Sequence, residues 1–364
     1  MKAILMLEDG TIFQGKAAGA SKEFVSELVF NTAHSGYEEV LSDPSYLGQT
    51  VLFTFPHIGN TGITIDDLES EYMFAEGLIC KDHIPEPDNF RSKKSLTAFL
   101  KEQNKLIFYD IDTRYLTQIL REKGCINGII SCTDFDTVSL QKKLSEHTPL
   151  AEVNAVDIYH THQSYSIKNK GGSHKIAVLD CGIKGGIIDQ LLALDCELHF
   201  FKSTASAEEI TAIHPDGIFL SNGPGNPNKM ERTVAEIKKL IPHYPIFGIC
   251  LGHQLLGLTF GCEVEKLKFG HHAINHPVSY KYAKEQNIPT VEITSQNHNY
   301  AIKEVTEELE VTHTHLNDET ISGMRHKSLP IYSVQYHPES NPGPHDSHYL
   351  FKQFIAQLAV NNNK

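Results

Sequence analysis

Residues 245–256, PIFGICLGHQLL, constrain this chain more than any other stretch. A short apolar run, 246–249, reads as a buried strand. The pattern breaks at Cys250 and resumes at helical spacing through Leu255, Leu256 and Leu258. Gly248 and Gly252 flank the cysteine as G-x-C-x-G. This is the sulfur counterpart of the nucleophile elbow, where a strand turns sharply into a helix and only glycines leave room. The turn sets the sulfur at a helix N-terminus, where amide dipoles favour thiolate over thiol. An isolated cysteine in a strand is ordinarily a small core residue. Paired glycines at a strand–helix junction make Cys250 a nucleophile instead.

A chain of 364 residues has the length of two domains. Its net charge of -13, with no basic block, argues against nucleic acid or anionic membrane as partner. No stretch reaches the length of a membrane-spanning helix. Residues 1–9 begin with an apolar run too short for a signal and cut by Glu8 and Asp9, so they read as a first strand. Seven scattered cysteines without C-x-x-C suit a reducing cytoplasm rather than a disulfide framework or a zinc site.

Residues 3–7 and 11–15, joined at Asp9 and Gly10, read as a β-hairpin. Strands are expected at 27–31 and 50–55, a helical patch within 36–46, and a loop at 56–60. Helices are expected at 95–103 and after Asp112, a good N-cap. Without regular alternation, residues 1–156 read as a smaller mixed α+β domain. A polar stretch, 157–174, reads as a linker, and its His160 and His162 as solvated rather than metal-binding. From 175 to 364 the rhythm changes. Strands at 175–180, 198–201, 217–221 and 246–249 alternate with helices at 187–194, 208–213 and 233–240. That predicts an α/β domain, an open, mostly parallel sheet with helices on both faces. Later strands are expected at 290–294, 309–315, 320–325 and 331–335, then a closing helix at 349–360.

A cysteine nucleophile needs a base and a group to orient it. His337 and Glu339 stand two apart with Pro338 between them, so an extended backbone puts both side chains on one side. They follow a strand, and strand C-terminal ends are where an open α/β sheet places its site. With Cys250 they complete a Cys-His-Glu triad. The loop SNGPGNP, 221–227, lacks the lysine of a phosphate loop and fits an oxyanion hole better, one N–H joining that of Leu251. GIKGG, 182–186, reads as a plain βα turn. His313 and His315 invite a metal reading, but no neighbouring cysteines or H-E-x-x-H helix support zinc, and no metal is expected.

PIFGICLGHQL, SNGPG and HPE together resemble the class I (triad) glutamine amidotransferases over roughly residues 175–360. In the first half, EDGTIFQG, VFNT, SGYEEVLSDPSY, PHIGN and IDTR resemble the N-terminal domain of the carbamoyl-phosphate synthetase small subunit; KFGHH, NHP, SQNH and PGPHD agree. The resemblance covers nearly the whole chain. It implies that Cys250 attacks the side-chain amide of L-glutamine, that His337 protonates the departing ammonia, and that Glu339 holds His337. It implies glutamine contacts at Ser45, Gly223, Gly225, Leu251, Gln254, Asn297, Asn299 and Tyr300, near the domain boundary. It also implies a large-subunit partner that receives ammonia through a tunnel and makes carbamoyl phosphate from bicarbonate and two ATP, for arginine or pyrimidine biosynthesis. ATP and Mg belong to that partner, and no cofactor is expected in this chain.

Some positions depart from the family pattern. Asn299 stands for a glycine, where tolerance of positive φ is expected to preserve the loop. Ala273 and Ile274 replace a Gly-rich pair, Asn226 an aspartate, and Ser340 and Asn341 an Ala-Ser. Rival readings are an amidotransferase serving another synthase, such as anthranilate or GMP synthesis, a non-catalytic regulatory subunit, and a cysteine protease or esterase. The first 150 residues count against the first of these and the intact triad against the second. The third predicts peptide or ester turnover without a partner.

Overall fold

The structure, a computed structural model, describes residues 1–159, 167–286 and 288–361. It divides into two compact units. The first is Met1–Val153 with Leu267–Ala273, and the second runs from Asn154 to Lys266 and again from Ile274.

The strands of the first unit are β1 (Lys2–Leu7), β2 (Ile12–Gly19), β3 (Glu23–Asn31), β4 (Gln49–Phe53), β5 (His57–Ile58), β6 (Gly77–Ile79), β7 (Asp82–His83), β8 (Leu106–Tyr109) and β9 (Ile126–Ser131). Seven of them close into a barrel in the order β1-β2-β8-β6-β4-β3-β9, while β5 pairs with β7. The expected hairpin is β1–β2, turned at Gly10 with φ 86° and braced by Asp9, whose carboxylate accepts from the Thr11 amide at 2.8 Å. Helices α1 (Tyr37–Ser42), α2 (Leu96–Glu102), α3 (Thr113–Lys123) and α4 (Thr137–Ser145) complete the unit. Ser95 and Asp112 cap α2 and α3 through their side chains.

Successive strand residues point to opposite faces, which sorts the core into layers. Leu5, Phe13, Leu28, Leu52, Ile79, Phe108 and Ile130, one from each barrel strand, share one buried cluster. Their sequence neighbours Val29, Val51, Leu78 and Ile107 pack instead with Val40 and Leu41 of α1 and Phe99 and Leu100 of α2. Ile4, Met6 and Ile129 pack with Leu140 and Leu144 of α4. Barrel closure was not foreseen, because β6 and β8 are too short to show a period of two. The stretch 56–60, expected to be a loop, holds β5.

The second unit begins with α5 (Ala155–Tyr159) and continues as β10 (His174–Asp180), α6 (Gly185–Leu192), β11 (Cys196–Lys202), α7 (Ala207–Thr211), β12 (Gly217–Leu220), α8 (Glu231–Leu240), β13 (Ile246–Ile249), α9 (Leu251–Thr259), β14 (Val264–Tyr280), α10 (Ala283–Gln286), β15 (Val291–Ile302), β16 (Leu309–His315), β17 (Ile321–His326), β18 (Ile331–Val334) and α11 (Tyr349–Asn361). Among the described residues its sheet has nine strands, ordered β11-β10-β12-β13-β18-β17-β16-β14-β15. The pairings from β11 through β18 are parallel, and those linking β18, β17, β16 and β14 are antiparallel. Ala177, Leu179, Ile218 and Leu220 pack with Ile237 of α8 and Leu255 of α9. Ile176, Val178, Phe219 and Phe247 pack with Leu191 of α6 and Phe351 and Phe354 of α11. Alternating residues therefore bury helices on both faces, as the apolar runs required.

β14 was not anticipated. Glu265, Lys266, Lys268, His271 and His272 interrupt any apolar alternation along it, and its middle stretch, Leu267–Ala273, belongs to the first unit. Of the polar stretch read as a linker, 160–166, with His160 and His162, lie outside the described residues. Residues before and after them are not free coil. Tyr159 is buried and its hydroxyl reaches Asp180 at 3.0 Å, Lys168 pairs with Leu198 of β11, and Ser173 bonds Asp195.

Candidate active site

The elbow forms where the glycines placed it. β13 ends at Ile249, α9 begins at Leu251, and Cys250 between them has φ 53° and ψ -103°. A non-glycine residue rarely adopts positive φ, and such strain persists only where surroundings enforce it. Here the amide of Cys250 is tied to the carbonyl of Val334 at 2.9 Å and that of Gly252 to Ser221 at 3.0 Å. A Cβ on Gly252 would lie 2.3 Å from the carbonyl oxygen of Leu220, so no larger residue fits there. The Cys250 thiol is buried and donates to the carbonyl of Asn297 at 3.4 Å.

His337 and Glu339 follow β18, the parallel neighbour of β13, so both segments leave the same end of the sheet. The amide of His337 donates to Ser295 at 2.9 Å, fixing the backbone beside β15. Its Nδ1 lies 2.7 Å from Oε1 of Glu339, leaving Nε2 as the ring nitrogen available to the sulfur. Burial alone would pull the imidazolium down. The charge of Glu339 and then the neighbouring Cys250 outweigh it, and His337 is pushed up to about 10. Glu339 is likewise fully buried, which would raise it. The charges of Lys184 and then His337 hold it down at about 2.

Lys184 is the residue that sequence reasoning missed. Its ammonium, 3 % exposed, stands 3.0 Å from Glu339 and donates to the carbonyls of Ser340 at 2.7 Å and Asn341 at 2.9 Å. A buried ammonium survives only when paired and hydrogen-bonded. The turn 182–186, expected to be a plain connection, is therefore part of the site. The available signal was position, since the lysine follows a parallel strand next to the one that leads into SNGPG. The loop 221–227 joins these parts. Ser221 accepts from the amide of Cys181 at 2.8 Å, and Asn222 accepts from that of Lys184 at 3.2 Å.

The other histidine of the elbow, His253, is excluded as the base. It points from α9 to Ser333, 2.8 Å away, and burial pushes it down to about 3, keeping it neutral.

The remaining site candidates of the second unit lie about the elbow: Gly223 lies against Leu251, Asn297 accepts from the Cys250 thiol, and Gln254 bonds Tyr300. Gly223 lies against Cys181 so closely that a Cβ would sit 2.2 Å from its carbonyl oxygen, and Gly225 lies against Ala155. Leu251 is the first residue of α9, where a helix leaves its amides without intrahelical partners. Gln254 donates to the carbonyl of Tyr300 at 2.8 Å and to Gln335 at 3.1 Å. Asn297, Asn299 and Tyr300 are buried in β15. Ser45 lies in the first unit, on the turn Pro44–Tyr46, its amide bonded to Asp43 at 2.8 Å. His313 stacks on Tyr280 at 4.3 Å, while His315 bonds His276 at 2.9 Å.

Comparison with known proteins places these features in a family. Class-I glutamine amidotransferase matches residues 177–357, and the CPSase domain of the carbamoyl-phosphate synthase small chain matches residues 5–130. The carbamoyl phosphate synthase small chain of Clostridium perfringens is 48% identical over 98% of this chain and 99% of its own length. The chain belongs to the carbamoyl phosphate synthase small-chain family. Its relatives include the small chain of Chlorobaculum tepidum, 44% identical over 98% of this chain and 97% of its own. They also include the pyrimidine-specific small chain of Bacillus subtilis, 43% identical over 98% and 96%.

Four of the six departures from the family pattern, Asn299, Asn226, Ser340 and Asn341, are accommodated locally. Asn299 is not at positive φ, so the expected reason for its tolerance is corrected: it continues β15, where any L-residue fits. Asn226 caps the turn Pro227–Lys229, accepting from the amide of Asn228 at 3.1 Å as an aspartate would. Ser340 and Asn341 have φ 68° and 46°, and present to Lys184 the two carbonyls that hold it.

Proposed function

We propose that this chain is the glutaminase subunit of a glutamine-dependent carbamoyl-phosphate synthase. The observation that carries the proposal is the buried series Lys184, Glu339, His337, ending at a strained cysteine. With Glu339 ionised and His337 basic, the thiol proton of Cys250 passes to Nε2, giving a thiolate and an imidazolium. The thiolate attacks the side-chain amide carbon of L-glutamine. The developing oxyanion is met by the amides of Leu251 and Gly223. His337 returns its proton to the departing nitrogen, ammonia leaves, and a glutamyl thioester remains. Water, deprotonated by His337, then releases glutamate and restores the thiol. Lys184 acts through Glu339 as a positioning residue.

In this proposal Ser45, Gly223, Gly225, Gln254, Asn297, Asn299 and Tyr300 orient the glutamine. Ammonia is channelled to a large synthetase subunit, which holds ATP and Mg and forms carbamoyl phosphate from bicarbonate. The product feeds arginine or pyrimidine synthesis in the cytoplasm. Among the described residues no helix is long and apolar enough to cross a membrane.

The test is Cys250→Ser in the reconstituted complex. Glutamine-dependent carbamoyl phosphate formation should disappear while added ammonia still supports it. Surviving glutamine-driven synthesis would show that the nucleophile lies elsewhere.

A further inference from the structure

Helix α3 carries a cationic face that the chemistry above does not use. Arg114, Thr117, Gln118 and Arg121 fall at i, i+3, i+4 and i+7, so they share one side of the helix, while Leu116, Ile119 and Leu120 are buried. With Thr113 and Thr54 they line a recess of about 280 Å³. Its lining contains hydroxyls, an amide and two guanidiniums, but no carboxylate. Neighbouring cations are differently placed: Lys16 pairs with Asp110 at 2.9 Å, and Lys123 pairs with Asp9. Among the described residues neither Arg114 nor Arg121 forms an ion pair. The side chain of Asp112, the nearest acid in sequence, is committed to capping the helix at the Tyr115 amide, 2.9 Å away. In a chain of net charge -13, a concave site with two uncompensated guanidiniums is built for an anion.

We infer that this recess docks an acidic segment of the synthetase subunit, with Arg114 and Arg121 each taking a carboxylate. The inference rests on the reading that this chain works with such a subunit. Charge complementarity selects the occupant. Planar guanidiniums two helical turns apart suit separate carboxylates along a peptide. Thr113 and Gln118 offer flanking donors, the hydroxyls of Thr54 and Thr117 already donating to the carbonyls of Asn31 and Thr113. A second copy of this chain, itself strongly anionic, would bring general repulsion to the encounter.

The experiment measures the affinity of the full-length chain for the purified large subunit at low and high salt. Arg114→Glu with Arg121→Glu should weaken association by about 100-fold or more, since like charges would then face the partner's acids. Arg121→Gln alone should weaken it less and flatten its salt dependence. Glutamine hydrolysis by the isolated variants should remain at the wild-type rate, which shows that they fold. Unchanged affinity in the double variant, with a wild-type complex that still forms and uses glutamine, overturns the docking inference and leaves the functional proposal standing. No association of the wild-type chain with the synthetase overturns both. Inorganic phosphate binding the free chain through these arginines, with association unaffected, identifies a free-anion site and overturns the docking role.

Discussion

Lys16 and Asp110 stand 2.9 Å apart in the first unit, and Lys184 and Glu339 stand 3.0 Å apart in the second. The chemistry and the distance are the same, yet the two pairs do different things. The first pair is 61 % and 51 % exposed, so water and salt screen it and its loss is cheaply replaced by hydration. The second is 3 % and 0 % exposed, so its charges are held by each other, by His337 and by two carbonyls. The lesson is that burial, not separation, decides whether an ion pair fixes a site. In the first unit the Lys16–Asp110 pair stands outside the apolar cluster of the barrel. The open sheet brings charge inward at one end, where the proposed reaction would move a proton.

The comparison can be broken most sharply at the sulfur. Cys250→Ala should reduce glutamine hydrolysis by about 10⁴-fold or more while thermal unfolding stays near that of the wild type. Lys184→Met comes next. Leaving Glu339 and His337 buried without the ammonium should cost about 3–5 kcal/mol. Urea unfolding would measure that loss, and the pH profile of hydrolysis should shift as well. A purely structural lysine would alter stability and leave the pH profile alone. Gly252→Ala follows. Its methyl group collides with the Leu220 carbonyl, so a loss of about 1–3 kcal/mol is expected, with poorer turnover as the elbow is displaced.

A graded effect should appear with pH. Glu339 is held at about 2, below its ordinary value of 4.5, so its contribution to stability is complete above 4.5 and is lost as pH falls toward 2. His337 is raised from 6.5 to about 10, so its contribution is complete below 6.5 and is lost as pH climbs through 10. Together they place the greatest benefit between about 4.5 and 6.5, and Lys184→Met, by letting Glu339 rise, should lower the stability reached in that window. Denaturation midpoints across pH would check it. The smallest change is expected at the barrel: Lys16→Ala should leave stability within the scatter of the measurement, and a clear loss there would contradict the role given to burial.

Much of this is legible in the sequence itself. Gly248, Cys250 and Gly252 announced the elbow because sterics leave few residues for such a turn. Pro338 kept His337 and Glu339 extended and on one side. The strand–helix rhythm after residue 175 announced the parallel sheet, since each crossover needs its own apolar period. What was hidden depended on partners far away in sequence. Lys184 looked like any surface lysine, because nothing nearby reveals that Glu339, Ser340 and Asn341 will enclose it. Closure of the barrel depended on β6 and β8, which are shorter than any repeat they could display. β14 was masked by its own charges.

That strand also limits where the polypeptide can be cut. The stretch Leu267–Ala273 completes the first unit: the amide of Thr32 bonds His272 at 3.0 Å, that of Cys125 bonds Lys268 at 3.0 Å, and the rings of Phe30 and Phe269 lie 5.5 Å apart. A polypeptide ended at residue 153 would lack this insert and expose the surface it covers, while one begun at residue 154 would carry it with nothing to complete. A single cut between residues 153 and 154 therefore does not yield two self-contained halves.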